Sequence, residues 1–248
     1  MEFKPTDFGF ARPSDALAWL VAMGADEIIL EHPVNRFAES AANAAPKPAP
    51  PMAVPTVAAT PGAETSSLNA IAEVVQALNF LEAHPLRKTA NKLSFFEGPE
   101  RADILVIADH PRKEEDRSGL VFADKARMLL ANMLAAIDLR LEDVALMNLM
   151  PWRPLGGAAP RTADVAAVLP FARRAIELVS PRLILAFSGL PGHYLAKSDA
   201  SVQRQRGLWA DVGGIPLLAT LHPDELLRTP SLKRQAWRDL LIFKEKLG

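Results

Sequence analysis

The sequence predicts an α/β protein, a three-layer αβα sandwich around a central four-stranded parallel sheet. Two observations lead to that class. Short apolar runs alternate four times with helix-like segments, and strands that are apolar at nearly every position belong to parallel sheets covered on both faces. Each run also exits on a polar residue: Asp109, Asn148, Ser188 and His222. Ligands in open parallel sheets bind beyond the carboxyl ends of the strands, so these four residues are expected on one rim.

The elements follow in order. Residues 14–23 read as a short helix capped by Ser14 and stopped by Gly24. From residue 39 the composition shifts to Ala, Pro, Thr and Ser, which cannot bury enough apolar area to offset its ordering entropy. Residues 1–38 are therefore expected as a helical extension, 39–68 as a linker, and 69–248 as the main domain. A helical pattern at 69–83 places Ile71, Val74, Val75, Leu78 and Leu81 on one face. Ile104-Leu105-Val106-Ile107-Ala108 is the first strand. Asp124 is expected to cap a helix presenting Met128, Leu129, Met133, Leu134 and Ile137. Val144 to Asn148 is the second strand. Thr162 is expected to cap a helix to about Val179, disturbed at Pro170. Residues 183–187 form the third strand, followed by a short helix near 191–196, and 215–221 form the fourth. Thr229-Pro230 opens a helix that runs to the C-terminus.

Composition narrows the function classes. Of 248 residues, 49% are hydrophobic and 23% charged, which is globular usage rather than disorder. No apolar run approaches a membrane span. The start, Met1-Glu2-Phe3-Lys4-Pro5, lacks the basic-then-apolar order of a secretory signal, so a soluble cytoplasmic protein is expected. The chain has no cysteine, which excludes disulfides and thiolate-held metal or iron–sulfur sites. His32, His84, His110, His193 and His222 show neither HxxxH nor HExxH spacing, so no metal is expected. A formal net charge of −1 means that any nucleic-acid binding needs a local basic face.

The rim residues suggest chemistry. An acid, an amide and an imidazole around one crevice suit activating water, reading a polar ring and stabilising a leaving anion. The plainer reading, that loops begin with polar residues anyway, fits the spacing equally well. Gly189-Leu190-Pro191-Gly192 lacks a Walker lysine, and no GxSxG elbow surrounds Ser188, so neither a phosphate cradle nor a serine nucleophile is expected. Phe122 and Trp152 suit a planar ligand or the core.

Three ordered motifs carry a resemblance. Asp109-His110-Pro111 continues through Glu115-Asp116-Arg117-Ser118-Gly119 to Phe122; Asn148 precedes Arg153-Pro154; His222-Pro223-Asp224-Glu225-Leu226-Leu227-Arg228 closes the set. Together they resemble the uracil-DNA glycosylase superfamily, nearest its family-four, iron–sulfur branch, whose motifs read roughly GEAPGxxEDxxGxPF, NxxKCRPPxN and HPSxLLR. The resemblance runs from about residue 80 to the end. It implies base excision repair on DNA by a monomeric hydrolase. Asp109 then positions the attacking water, Phe122 stacks on the flipped uracil, and Asn148 reads its edge. His222 stabilises the departing base, while Leu226, Leu227 and Arg228, with Arg153, meet the DNA. Ala108 and His110 line the pocket.

Several residues depart from the pattern. Family-four members hold a cluster with four cysteines, and His84, Trp152 and Val168 stand at expected cysteine positions. Ala108 and Arg112 replace glycines, His110 replaces a small residue, and Asp224 and Glu225 bring negative charge into a DNA-facing segment. Two functions follow: a cluster-free glycosylase for uracil or a related damaged base, needing no cofactor, or a catalytically impaired protein of the same fold that binds nucleic acid or a protein. A nucleoside-binding protein is a third, which leaves the Leu-Leu-Arg wedge without a task.

Overall fold

The computed structural model describes residues 65–248; the helix expected at 14–23 and nearly all of the expected linker lie outside the described residues. Its strands are β1 (Phe96–Glu97), β2 (Ile104–Ala108), β3 (Ala145–Asn148), β4 (Leu183–Phe187), β5 (Trp209–Val212) and β6 (Ile215–Thr220). They form one sheet in the order β1-β3-β2-β4-β6-β5. The inner four are parallel, as expected, whereas β1 and β5 are antiparallel edges. Ala108 pairs with Asn148, and Phe187 with Thr220, so the strands end level on one rim.

Helices cover both faces: α1 (Ile71–Asn79), α2 (Lys113–Ser118), α3 (Asp124–Ala135), α4 (Thr162–Val179), α5 (Gly189–Ala196), α6 (Val202–Gln205), α7 (Pro223–Arg228) and α8 (Lys233–Leu247). Successive strand residues point to opposite faces. Leu105, Ile107, Ile184 and Ala186 meet α1 and α4 on one side. Val106, Leu183, Leu185 and Phe187 meet α3 and α8 on the other. All five β2 residues and all five β4 residues are buried, which is why both runs read as unbroken apolar sequence. Among the described residues, no helix is long and apolar enough to cross a membrane.

Local expectations need correction at three helix starts. Ala123, not Asp124, is the N-cap of α3; Asp124 is already its first residue, where its charge favours the positive end of the helix dipole. Arg161 rather than Thr162 is the N-cap of α4. Thr229 precedes a 3-10 turn, Pro230–Leu232, and α8 starts at Lys233. Met133 and Leu134 lie on the buried face of α3 as expected, with Ile137 buried just beyond it, but Met128 is 68% exposed and Ala126 and Leu130 complete that face. Pro170 lies inside α4 without ending it, because Val165, Val168, Ala172, Ala175 and Val179 anchor the helix on both sides of it.

Leu185→Ala is expected to lower the unfolding free energy by about 2–5 kcal/mol, and Met128→Ala to change it by less than about 0.5 kcal/mol. Urea denaturation checks both; equal costs would contradict the assigned faces.

Candidate active site

β2 delivers Asp109 into a short loop that is tied down from several sides. The carboxylate accepts the His110 backbone N–H at 2.9 Å, and His110 Nδ1 stands 3.3 Å from the same oxygen. Arg112 Nη2 reaches both carboxylate oxygens, at 3.1 and 3.3 Å. Arg112 Nη1 also donates to the His110 carbonyl at 3.0 Å and touches the His110 ring. The loop then turns into α2, where Glu115 accepts the Arg112 N–H at 2.6 Å. Burial pushes the Glu115 carboxyl up to about 7, against the pull of that bond. Gly119 ends α2 at φ 86°, a left-handed conformation that glycine adopts without a Cβ penalty. Burial alone would raise the Asp109 carboxyl, but the His110 hydrogen bond and the neighbouring His110 and Arg112 groups hold it well below the usual carboxylate range.

β6 delivers His222 to the start of α7. Its Nδ1 accepts the backbone N–H of Asp224 at 3.2 Å, so in the neutral ring the proton resides on Nε2. That Nε2 is buried and has no partner among the described residues. Burial drives the His222 pKa down to about 3, with Asp109 pulling the other way and Arg112, His110 and Arg228 adding to the drop. His222 is thus a neutral donor with one unused N–H. Its ring stacks on Phe122 (centroids 5.4 Å apart, planes 22° from parallel), and Phe187 meets both rings edge-on. Phe122 is fully buried, so its ring is shared with His222 rather than open.

β3 ends on Asn148, which is fully buried. Its Nδ2 donates to the Ser94 carbonyl at 3.0 Å and to Ser94 Oγ at 2.8 Å. The Ser94 hydroxyl proton goes to the Leu120 carbonyl at 2.6 Å, so Ser94 offers Asn148 only acceptors. The amide is therefore fixed with Oδ1 turned away from Ser94, and that oxygen is buried without a partner among the described residues. Ser94 escaped the sequence reading because nothing marks it locally; its role depends on a contact 54 positions away. Glu97, on β1, completes the support by accepting the Val121 N–H and pairing with Arg127 at 2.9 Å.

β4 ends at Ser188, whose N–H donates to the Thr220 carbonyl at 3.0 Å, beside the strand that leads to His222. Ser188 has φ 78° and ψ 174°, a region that is essentially glycine-only and costs on the order of 1–3 kcal/mol. The four rim positions expected from the sequence do lie together at the strand ends.

Outside them is a cleft of about 550 Å³, lined by Arg112, Lys113, Arg153, Asp224, Leu227 and Arg228 among others. Arg228 folds back so that Nε donates to the Asp224 carbonyl at 3.2 Å. Leu226 does not belong to this surface. It is 1% exposed and packs in the core with Phe122 and Leu130, because the expected loop is a helix that turns its Leu226 side inward. Leu227 is exposed at 37%. Ala108 is core at the end of β2, and His110, 8% exposed, forms part of the cleft wall.

The residues at the cysteine positions named above also meet. The His84 and Trp152 rings lie 4.7 Å apart, and Trp152 and Val168 share one core cluster. Both His84 nitrogens are engaged: Nδ1 accepts the Leu86 N–H at 3.3 Å, and Nε2 lies 3.1 Å from the Asp164 carbonyl. A donor set with no thiolate, and no grouping of three or more His, Asp or Glu among the described residues, does not fit an iron–sulfur cluster.

A parallel sheet whose rim gathers a carboxylate, a fixed amide and a buried neutral imidazole beside a basic cleft suits hydrolysis of a bond to a polar ring. Comparison with known proteins agrees. Residues 95–241 match the family model of the uracil DNA glycosylase superfamily, and the chain belongs to that superfamily. It is 30% identical over 162 residues to the type-4 uracil-DNA glycosylase of Thermotoga maritima, a match covering 64% of this chain and 84% of that protein. The type-4 enzyme of Pyrobaculum aerophilum is 27% identical over 168 residues, covering 64% and 85%. That of Archaeoglobus fulgidus is 24% identical over 189 residues, covering 73% and 95%.

The site makes a pH prediction. Because the folded-state pKa of His222 lies near 3 against 6.5 for a free side chain, its ring stays neutral as pH falls from 8 to 5, and its burial costs the fold stability progressively below 6.5. NMR of the His222 ring should show no titration in that range. A midpoint between 6 and 7 would contradict the buried, neutral assignment.

Proposed function

We propose that this chain is a DNA repair glycosylase that hydrolyses the N-glycosidic bond of uracil, or of a related damaged base, without an iron–sulfur cluster. It works as a soluble, cytoplasmic monomer on DNA, with residues 69–248 as the catalytic domain and 1–38 and 39–68 as an extension and a linker. The observation that carries this reading is that three groups at the rim are buried without partners among the described residues, Asn148 Oδ1, His222 Nε2–H and Ser188 Oγ, of which the first two face the demands of a polar ring. Buried polar atoms without partners are rare, and these two form an acceptor and a donor. Uracil supplies the matching groups, an N3–H and carbonyl oxygens.

In this reading the base is extruded from the DNA, and Leu227 takes its place in the stack while Arg153 and Arg228 hold phosphates. The base enters beside Phe122 by moving His222 off part of that ring. Asn148 Oδ1 accepts the N3–H. As the C1′–N1 bond breaks, its electron pair goes to the base, and His222 Nε2–H donates to the oxygen where that charge collects. A neutral donor suffices, since the charge arises only as the bond breaks. Water adds its oxygen to C1′; one of its protons stays on the new sugar hydroxyl and the other ends on the released base. Asp109 orients that water and offsets the cationic sugar. Its lowered pKa makes it a weak base but a dependable charge, so it acts electrostatically rather than by early proton abstraction.

At the cysteine positions, His84 and Trp152 pack where the resemblance places the cluster and anchor the segment leading to Arg153. The purified protein is accordingly expected to be colourless and iron-free; stoichiometric iron would overturn that part. Asp109→Asn and His222→Ala should each slow single-turnover release of uracil by about 100-fold or more while changing DNA affinity far less. Wild-type rates in both variants would refute these roles, whereas no release of uracil by folded wild-type protein would leave the impaired, binding-only reading.

A further inference from the structure

Arg112 does more than cover Asp109. From the same guanidinium, Nε lies 3.6 Å from Asp224 Oδ2, at the other wall of the cleft. Arg112 and Asp224 are each 27% exposed in their side chains, and Asp109 is 15% exposed, so the three charges lie under partial cover rather than in open solvent. The cleft carries four cations, Arg112, Lys113, Arg153 and Arg228, and its one carboxylate among the residues lining it is Asp224. A lone carboxylate at that place would oppose a phosphate. The same Asp224 supplies the backbone N–H that fixes the His222 tautomer, so whatever holds Asp224 also holds His222. Arg112 and Asp224 both depart from the motifs that the chain otherwise resembles, glycine and serine standing there, and these two departures contact one another.

We propose that Arg112 is a positioning residue that straps the loop after β2 to the start of α7, orienting Asp109 for catalysis and neutralising Asp224 so that the cleft accepts DNA phosphate. The catalytic half of this role rests on the glycosylase reading; the electrostatic half requires only that the cleft binds DNA. The planar fork matters for the first half. Arg112 reaches Asp109 through Nη2 and Asp224 through Nε at once, a geometry that a lysine ammonium on a flexible stem does not reproduce. Charge alone serves the second half.

The test compares wild type, Arg112→Lys, Arg112→Ala, Asp224→Ser and the double variant Arg112→Ala with Asp224→Ser. Each is measured for equilibrium binding of a uracil-containing oligonucleotide at low and moderate salt, and for single-turnover release of uracil. With Arg112 present, Asp224→Ser should change affinity less than twofold; with Arg112 removed, it should recover about tenfold, since paired charges couple and separated ones do not. Arg112→Lys should keep affinity within about threefold yet slow release about tenfold or more, because charge is retained while the Asp109 geometry is lost. An equal effect of Asp224→Ser on affinity in both backgrounds overturns the strap, as does a wild-type release rate in Arg112→Ala. If wild type binds with the expected coupling but releases no uracil, the glycosylase reading fails and the electrostatic strap stands.

Discussion

A parallel strand covered on both faces can present polar chemistry only where it ends. β2 and β4 are buried along their whole length, and the groups that interrupt the apolar pattern come at the exits. That constraint concentrates Asp109, Asn148, Ser188 and His222 on one rim, and the rest of the molecule is arranged to hold them. Edge strand β1 and Ser94 fix Asn148 and the Phe122 loop; α7 fixes His222; α2 and Arg112 fix Asp109. Asn148 is held by a segment 54 positions away, whereas Asp109 and His222 are held by residues one to three positions along their own loops, and each so gains a defined direction as well as a place.

Burial then decides the protonation states. His222 loses its charge because a cation cannot be hydrated there, while Asp109, also buried, keeps its charge because His110 and Arg112 repay the lost hydration. In the proposed mechanism a charged Asp109 and a neutral His222 on the same rim divide the work of bond cleavage between cation stabilisation and anion stabilisation, and neither needs to titrate near neutrality. The chain has no thiolate, and at two of the positions where the resemblance expects cysteine the His84 and Trp152 rings pack against each other, Trp152 standing one residue before Arg153.

Much of this was legible in the sequence, for identifiable reasons. Ile104–Ala108 and Leu183–Phe187 are apolar at every position, so their bounds were readable to the residue. The edge strands were not. β1 has two residues, and β5 is mostly half-buried and mixes Asp211 with Trp209. The Gly213-Gly214 pair, both at positive φ, is the hairpin signal that would have found β5 and its pairing with β6. Motif order placed Asp109, Asn148 and His222 correctly on the rim, because strand ends fix them. It misplaced Leu226, since consecutive helix residues point about 100° apart, so that Leu226 turns inward while its neighbour Leu227 stays exposed. The Arg112 contact with Asp224 joins residues far apart in sequence and has no local signature, so only the folded chain reveals it.

The central claim is that a fixed Asn148 oxygen and a neutral His222 donor select and release a base bearing an N3–H. The most direct measurement uses wild-type protein in excess over matched oligonucleotides that carry uracil or cytosine at one position, with the free base quantified. The account predicts release of uracil and retention of cytosine, whose N3 has no proton to give Asn148 Oδ1. No release of either base by folded protein, or release of cytosine as readily as uracil, would contradict it.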